Sequence, residues 1–324
     1  MKYFFVILST FAVMSPIESA FAAMPPYFKP GQFQLTEHSE YFWTTSNYDE
    51  FGEIRNLTGN NSYSNLTNQL DGTYFISDAL ALRTGANISY AKSTSTIEDR
   101  SNSELSSLHG QVMYKFVTPL ISFIPDLDIT LSLTEIDPQG DNVLTGEGVN
   151  TFKVGSWALA QLGLLRLRGY GYIGYEYRDG GRSALIPWTA GLSWRGRRLR
   201  PSFEISGYNS ASDDEYISSR FNRELVTSTV NAGSLRYYSV NPNLIQARAE
   251  LTYQATHNFS ISAGASSSLK GESTAKGESV FFALAYSFSP HTSKPSQPDT
   301  RSERQKKFEF KLEEDYDETL FEDE

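Results

Sequence analysis

The sequence predicts an all-β fold: a transmembrane antiparallel β-barrel of about twelve strands with a flexible C-terminal tail. From Gly31 to Phe288, segments in which apolar and polar residues alternate recur about every 21 residues, the length of a membrane-crossing strand plus its connection. A secretory signal precedes these segments. No later stretch approaches the ~20 apolar residues that a membrane-spanning helix needs.

The first element is the predicted signal peptide, residues 1–22. Lys2 supplies its positive charge, residues 3–13 are mostly apolar, and Ala20-Phe21-Ala22 fits cleavage before Ala23. We therefore expect an exported protein whose residues 23–290 form the barrel. The sequence contains no cysteine, which excludes disulfides, thiolate metal sites and cysteine nucleophiles.

The strands follow in order, and segment 165–178 shows their two faces well. Its apolar positions are Leu165, Leu167, Ile173, Tyr175 and Tyr177, and its polar face carries Arg166, Arg168, Tyr170, Tyr172, Glu176 and Arg178. A helix would not place charges at alternate positions, so the pattern indicates a strand. The other predicted strands are 32–46, 63–77, 80–93, 107–118, 127–136, 149–163, 184–195, 199–210, 245–255, 258–270 and 277–288.

The last strand has one large apolar face and one face of mostly small residues. Val280, Phe282, Leu284, Tyr286 and Phe288 alternate with Phe281, Ala283, Ala285 and Ser287. This suits a strand between hydrocarbon and a crowded lumen.

The connections alternate between short turns, near 77–79, 163, 195–198 and 256–258, and long loops at 47–62, 97–106, 137–148 and 211–240. In membrane barrels the short turns face the periplasm and the long loops face outside. Aromatic residues at both predicted strand ends match the two interfacial girdles of such a barrel.

The charge balance argues against nucleic acid as a partner. The formal net charge of −10 divides into −5 for the barrel region (21 basic, 26 acidic residues) and −5 for residues 291–324 (6 basic, 11 acidic). Binding to phosphates needs a basic patch instead. The mean hydropathy of −0.39 is compatible with a barrel, because polar lumen residues offset the apolar lipid face.

The strand pattern and the segment from Gly277 to Phe288 resemble Gram-negative outer-membrane β-barrels of the porin and transporter type. The resemblance covers residues 31–288 and implies an outer-membrane location, contact with lipid and insertion by the barrel assembly machinery. In that class the terminal strand ends in an aromatic residue. Here 36 residues follow Phe288, so the insertion signal would have to be read internally.

Charged residues on the predicted inner face are the candidate pore lining. They are Arg83, Lys115, Arg166, Arg168, Glu176, Arg178, Arg200, Glu204, Arg248 and Glu250. The sequence predicts a channel for passive diffusion of small hydrophilic solutes, with Arg166, Arg168 and Arg178 as an anion-attracting ladder. The alternative is a closed structural or interaction barrel whose side chains fill the lumen, since twelve strands lie between the filled and open sizes.

Catalytic and metal sites have little support, and we expect no enzyme and no cofactor. An outer-membrane hydrolase is a distant alternative. The one His-x-Ser, His291-Thr292-Ser293, lies beyond the barrel, and Asp213-Asp214 has no histidine at close spacing. The four histidines are far apart in the sequence, so a metal site is not indicated.

Two segments outside the strands complete the prediction. Loop 211–240 is long enough either to fold inward and narrow a pore or to remain an exposed surface loop. The composition of residues 291–324 predicts a flexible acidic periplasmic tail. An alternative is that this tail binds a periplasmic partner through its spaced aromatic residues Phe308, Phe310, Tyr316 and Phe321.

Overall fold

The computed structural model describes residues 28–118, 120–136, 142–162 and 166–288, and it shows the predicted closed antiparallel β-barrel. Twelve long strands pair in chain order, and β14 closes the barrel on β1. They are β1 (Phe33–Tyr48), β3 (Ser62–Phe75), β4 (Leu80–Thr94), β5 (Asp99–Tyr114), β7 (Ile121–Ser132), β8 (Thr151–Leu162), β9 (Leu167–Arg178), β10 (Leu185–Trp194), β11 (Leu199–Ser210), β12 (Asn243–Thr256), β13 (Phe259–Glu272) and β14 (Thr274–Phe288).

Two short strands and one α-helix lie outside the barrel wall proper. Strand β2 (Ile54–Asn56) pairs with the end of β1, and β6 (Phe116–Val117) pairs with the start of β7. Helix α1 (Phe221–Val230) lies in the connection between β11 and β12. No helix of the described residues is long and apolar enough to cross a membrane.

Alternation along the strands builds the two faces of the wall. On β14, Val280, Phe282, Tyr286 and Phe288 are exposed on the outside, whereas Ser279 and Phe281 are buried inside. Phe33 of β1 pairs with Phe288, so the two ends of the sheet meet in register. Closure satisfies the backbone hydrogen bonds that an open edge would leave unpaired within the lipid.

Exposed aromatic residues form a girdle at each end of the outer surface. The girdle at the short-turn end includes Phe33, Tyr74, Tyr114, Trp194, Tyr253 and Phe288, and the girdle at the long-loop end includes Tyr41, Tyr90, Tyr175 and Tyr177. This is the arrangement predicted from the sequence. It defines the apolar band between the girdles that faces lipid.

Strand β5 differs from the prediction, whereas β4 agrees with it to within one residue. The predicted loop 97–106 is mostly strand, because β5 begins at Asp99 and the turn is confined to Ser95–Glu98. The Ser95 hydroxyl oxygen accepts hydrogen bonds from the N–H groups of Ile97 and Glu98 and stabilises this turn. The β4–β5 hairpin extends beyond the membrane, where outward residues need not be apolar. Its outer part therefore lacks the alternation of apolar and polar residues by which the strands were predicted.

The predicted signal peptide (1–22), the tail (291–324) and His291-Thr292-Ser293 lie outside the described residues.

Candidate solute path

One side of the lumen is filled by large side chains. Phe28, Phe75, Met113, Ile124 and Trp157 form a buried cluster with Ala81, Tyr170 and Tyr172 towards the short-turn half of the barrel. The Trp157 and Tyr172 rings have centroids 4.8 Å apart. We call this group the aromatic side of the lumen; its members belong to the segment before β1 and to strands β3 to β9.

Glycines on the neighbouring strands make room for these rings. A Cβ added at Gly155 of β8 would lie 2.2 Å from the Tyr172 hydroxyl oxygen, and one at Gly191 of β10 would lie 2.3 Å from the Tyr170 ring. Because glycine has no side chain, each tyrosine lies along the wall. The rings are therefore held close to the barrel wall.

The opposite side carries small polar residues. Ser260, Ser262, Gly264, Ser266 and Ser268 occupy the inward positions of β13, and we call this row the serine face. The Ser262 hydroxyl lies 2.8 Å from the hydroxyl of Thr252, and that of Ser266 lies 2.7 Å from the hydroxyl of Ser279. The row extends over about 26 Å at a rise of about 3.3 Å per residue.

The serine face is accessible to solvent from within the barrel. All five of its residues are partly exposed, although they point inward. Inward residues on other strands, such as Thr67 of β3 and Ser89 of β4, are only 1% exposed. An inward position does not by itself produce the exposure seen on β13. The inward side of β13 is therefore partly accessible to water, although the Phe281 ring lies against the strand at Gly264.

Charged groups of both signs line the lumen next to the serine face. Arg248 of β12 lies 3.2 Å from Glu250 and 3.5 Å above the centre of the Phe281 ring. On the aromatic side, His109 Nε2 lies 2.9 Å from the Asp71 carboxylate. The opposite charges of Arg248 and Glu250 are thus paired on the wall, which limits the field that they produce inside the barrel.

The structure places eight of the ten predicted lining residues on inward positions of the long strands. These are Arg83, Arg168, Glu176, Arg178, Arg200, Glu204, Arg248 and Glu250. Lys115 lies just beyond the end of β5, with its ammonium group 5.7 Å from the centre of the Phe28 ring. Lys153 is also inward and was missed, although Phe152 and Val154 beside it show the alternation that would have identified it.

The predicted ladder of three arginines is not formed. Arg166 is exposed in the turn before β9, with a φ of +43°, and its carbonyl oxygen accepts a hydrogen bond from the Arg195 N–H. The turn requires this left-handed backbone, so the strand begins only at Leu167. Arg168 and Arg178 share a face but lie at opposite ends of β9, about 33 Å apart along an extended strand.

Four basic residues instead gather at the short-turn mouth of the barrel. Arg83, Lys115, Arg168 and Arg200 each lie within four residues of the short-turn end of a strand. All four are partly exposed. We call them the basic mouth.

Two outer segments, 142–150 and 211–242, fold over the long-loop end, and we call them the outer lid. Val143, Leu144, Val226, Val230 and Tyr237 pack there against the barrel residues Phe42, Tyr63 and Ala91. The Leu144 N–H donates a 3.0 Å hydrogen bond to the Asn231 side-chain oxygen, and this bond joins the two segments. Of the two alternatives for loop 211–240, the structure shows the inward fold.

Ion pairs fasten the outer lid. Arg223 and Asp214 are both buried and lie 2.7 Å apart. Arg178 donates to Glu147 at 3.0 Å and to the Ser183 carbonyl oxygen at 2.7 Å. Burial opposes ionisation of Glu147, but the charges of Arg178 and Arg182 outweigh it and lower the pKa of this carboxyl.

No metal centre is evident: among residues 28–118, 120–136, 142–162 and 166–288, no three His, Asp or Glu side chains are grouped to hold an ion.

Solved structures share the fold. An outer-membrane channel from Pseudomonas putida F1 aligns with a TM-score of 0.59 at 11% identity, covering 84% of this chain and 100% of that one. The KdgM porin in complex with disordered oligogalacturonate gives 0.47 at 8% identity, covering 79% and 99% of the two chains. The NanC porin also gives 0.47, at 7% identity, covering 78% and 98%. Neither a protein-family model nor a curated protein sequence matches this chain.

The closed twelve-strand barrel and its likeness to the Pseudomonas putida channel establish the fold of an outer-membrane β-barrel. The protein is an outer-membrane protein.

Proposed function

We propose that the protein is an outer-membrane channel through which small hydrophilic solutes diffuse passively along the serine face. The observation that carries this proposal is the solvent exposure of the inward row from Ser260 to Ser268. If side chains filled the space beside β13, these residues would be as deeply buried as Thr67 and Ser89 are. The Pseudomonas putida neighbour, which is a channel, supports the same reading.

The chemistry of the wall suits polar solutes. Hydroxyl groups both donate and accept hydrogen bonds, so the serine face can replace part of the water around a solute without selecting a charge. The basic mouth adds a mild preference for anions at the short-turn end. Arginine keeps its charge at all ordinary pH values, so this preference should not depend on pH for Arg83, Arg168 and Arg200.

A closed structural barrel is the second candidate, and the outer lid favours it. Val230, Asn231 and Ser234 are almost completely buried over the long-loop end. If the barrel is closed, the lid is a permanent cover. If the barrel is a channel, the lid narrows the outer end of the path and controls entry.

Single-channel conductance in planar bilayers separates the two candidates. We expect the wild-type protein to conduct, and we expect Ser262→Phe to reduce the conductance by roughly half or more because a ring would enter the water-accessible space. The matched control is Ala263→Phe, since Ala263 is the next residue on β13 and points to lipid. A wild-type barrel that does not conduct would favour the closed barrel. Equal conductance of the two variants would show that the path does not follow β13.

A further inference from the structure

A polar group lies on the lipid-facing side of the barrel, where apolar residues are expected. Glu37 and Ser39 of β1 point outward, and Ser39 pairs with Asn68, which points outward from β3. Among the outward positions between the two girdles on the described strands, Glu37 is the one ionisable side chain. We call Glu37, Ser39 and Asn68 the polar patch.

The polar patch lies near the middle of the apolar band. Phe33 and Tyr41 belong to opposite girdles, and each is four residues from Glu37 on the same face of β1. With a rise of about 3.3 Å per residue and a tilt of about 40°, each girdle is about 10 Å away along the membrane normal. At this depth lipid offers hydrocarbon and no hydrogen-bond partner.

The hydrogen bonds within the polar patch do not use all of its donors and acceptors. The Ser39 hydroxyl lies 2.7 Å from a Glu37 carboxylate oxygen and 2.8 Å from the Asn68 side-chain oxygen, but its single hydrogen serves one of them at a time. In the described part of the chain, Asn68 Nδ2 and Glu37 Oε2 have no hydrogen-bond partner. A surplus donor and a surplus acceptor thus lie side by side.

We propose that a second copy of this chain covers the polar patch, so that the protein forms a two-fold symmetric dimer through the outer faces of β1 and β3. Two-fold symmetry brings the Asn68 amide of each copy to the Glu37 carboxylate of the other, because a patch with both surpluses is complementary to itself. Leu35 and Leu70, both exposed beside the patch, supply an apolar rim. The dimer concerns the outer surface and does not depend on the proposed channel.

The test uses single cysteines, which are informative because the natural sequence has none. Leu70→Cys places a thiol beside the polar patch, and Phe203→Cys places one at a comparable depth on the outer face of β11. Outer membranes carrying each variant are treated with a short thiol-reactive crosslinker. We expect a covalent dimer with Leu70→Cys and none with Phe203→Cys.

A second step asks whether the polar patch drives the contact. Adding Glu37→Leu and Asn68→Leu to Leu70→Cys should lower the yield of crosslinked dimer by about tenfold, because two reciprocal hydrogen bonds are lost. Heat-dependent migration in gels confirms that each variant is folded, and Asn68→Ala alone is the milder variant if the double replacement fails to fold. No dimer with Leu70→Cys, equal dimer at both cysteines, or a yield unaffected by the replacements would overturn the proposal.

Discussion

Arg168 and Arg178 lie on the same face of β9 and have different surroundings. Arg178 is buried at the outer end, bonded to Glu147 and Ser183, so its charge is neutralised within the outer lid. Arg168 is partly exposed at the basic mouth, where a passing ion can approach it. The sequence identifies both as inward residues but cannot show that Arg178 is held in the outer lid, because Glu147 and Ser183 lie on separate loops.

The basic mouth should set the ion preference. Replacing Arg168 and Arg200 by Gln should shift the reversal potential in a salt gradient towards cations, because two fixed positive charges are removed from the path. The effect should be clear near 0.1 M salt, where the Debye length is about 10 Å, and weak near 1 M, where it is about 3 Å. Lys92→Gln is the control and should leave the reversal potential unchanged, because Lys92 is exposed on the outer face of β4, away from the lumen. A shift of the same size with Lys92→Gln would contradict this assignment.

The ring of Tyr172 should make Gly155 intolerant of a side chain. Gly155→Ala places a Cβ about 2.2 Å from the Tyr172 oxygen. The buried ring cannot move without disturbing Trp157, so we expect a loss of about 1–3 kcal/mol in the free energy of unfolding. Gly110→Ala is the matched control, because its Cβ would meet nothing within 4 Å. Denaturant unfolding in detergent or lipid measures the stability of both variants. Equal unfolding midpoints for the two variants would show that the Tyr172 ring is loosely packed.

At the scale of elements, the strands could be predicted and the outer lid could not. Alternation between lipid and lumen is a local property of each strand, so most boundaries, such as 199–210 for β11, agree with the structure within a few residues. The lid depends on contacts between distant segments, such as Leu144 with Asn231, and no local pattern encodes them. The same holds for the aromatic side, where Tyr172 depends on a glycine of another strand.

The ion pair of Glu147 should make the outer lid sensitive to acid. The pKa of Glu147 is lower in the folded protein than its ordinary value of 4.5. Its stabilising contribution is therefore fully present above about pH 4.5 and is lost as the pH falls through the lower folded pKa. We expect more frequent open-channel events in planar bilayers as the pH is lowered through this window.

Glu147→Gln tests the assignment of that acid response. The variant should show the looser lid already at neutral pH, and the difference from wild type should shrink as the pH falls. A wild-type acid response that Glu147→Gln retains in full would point to another carboxyl group.

At the scale of the whole molecule, the barrel is asymmetric about its axis. Large side chains and glycines fill one side, small hydroxyl residues leave water-accessible space on the other, and the outer lid covers the long-loop end. The alternation and spacing of the segments predict the number of strands, but they do not show which parts of a lumen of intermediate size the side chains fill. The space that the side chains leave decides between an open and a filled barrel.

The most direct measurement of a path along β13 is a thiol scan during conduction. Single cysteines at Ser260, Ser262 and Ser266, and at Ala263 and Ala265 between them, are introduced into the naturally cysteine-free chain. A charged, membrane-impermeant thiol reagent is then added while current is recorded. The account predicts stepwise loss of current at the three serine positions and no change at the two alanine positions, which face lipid. Loss of current without this alternation, or no current in any variant, would contradict it.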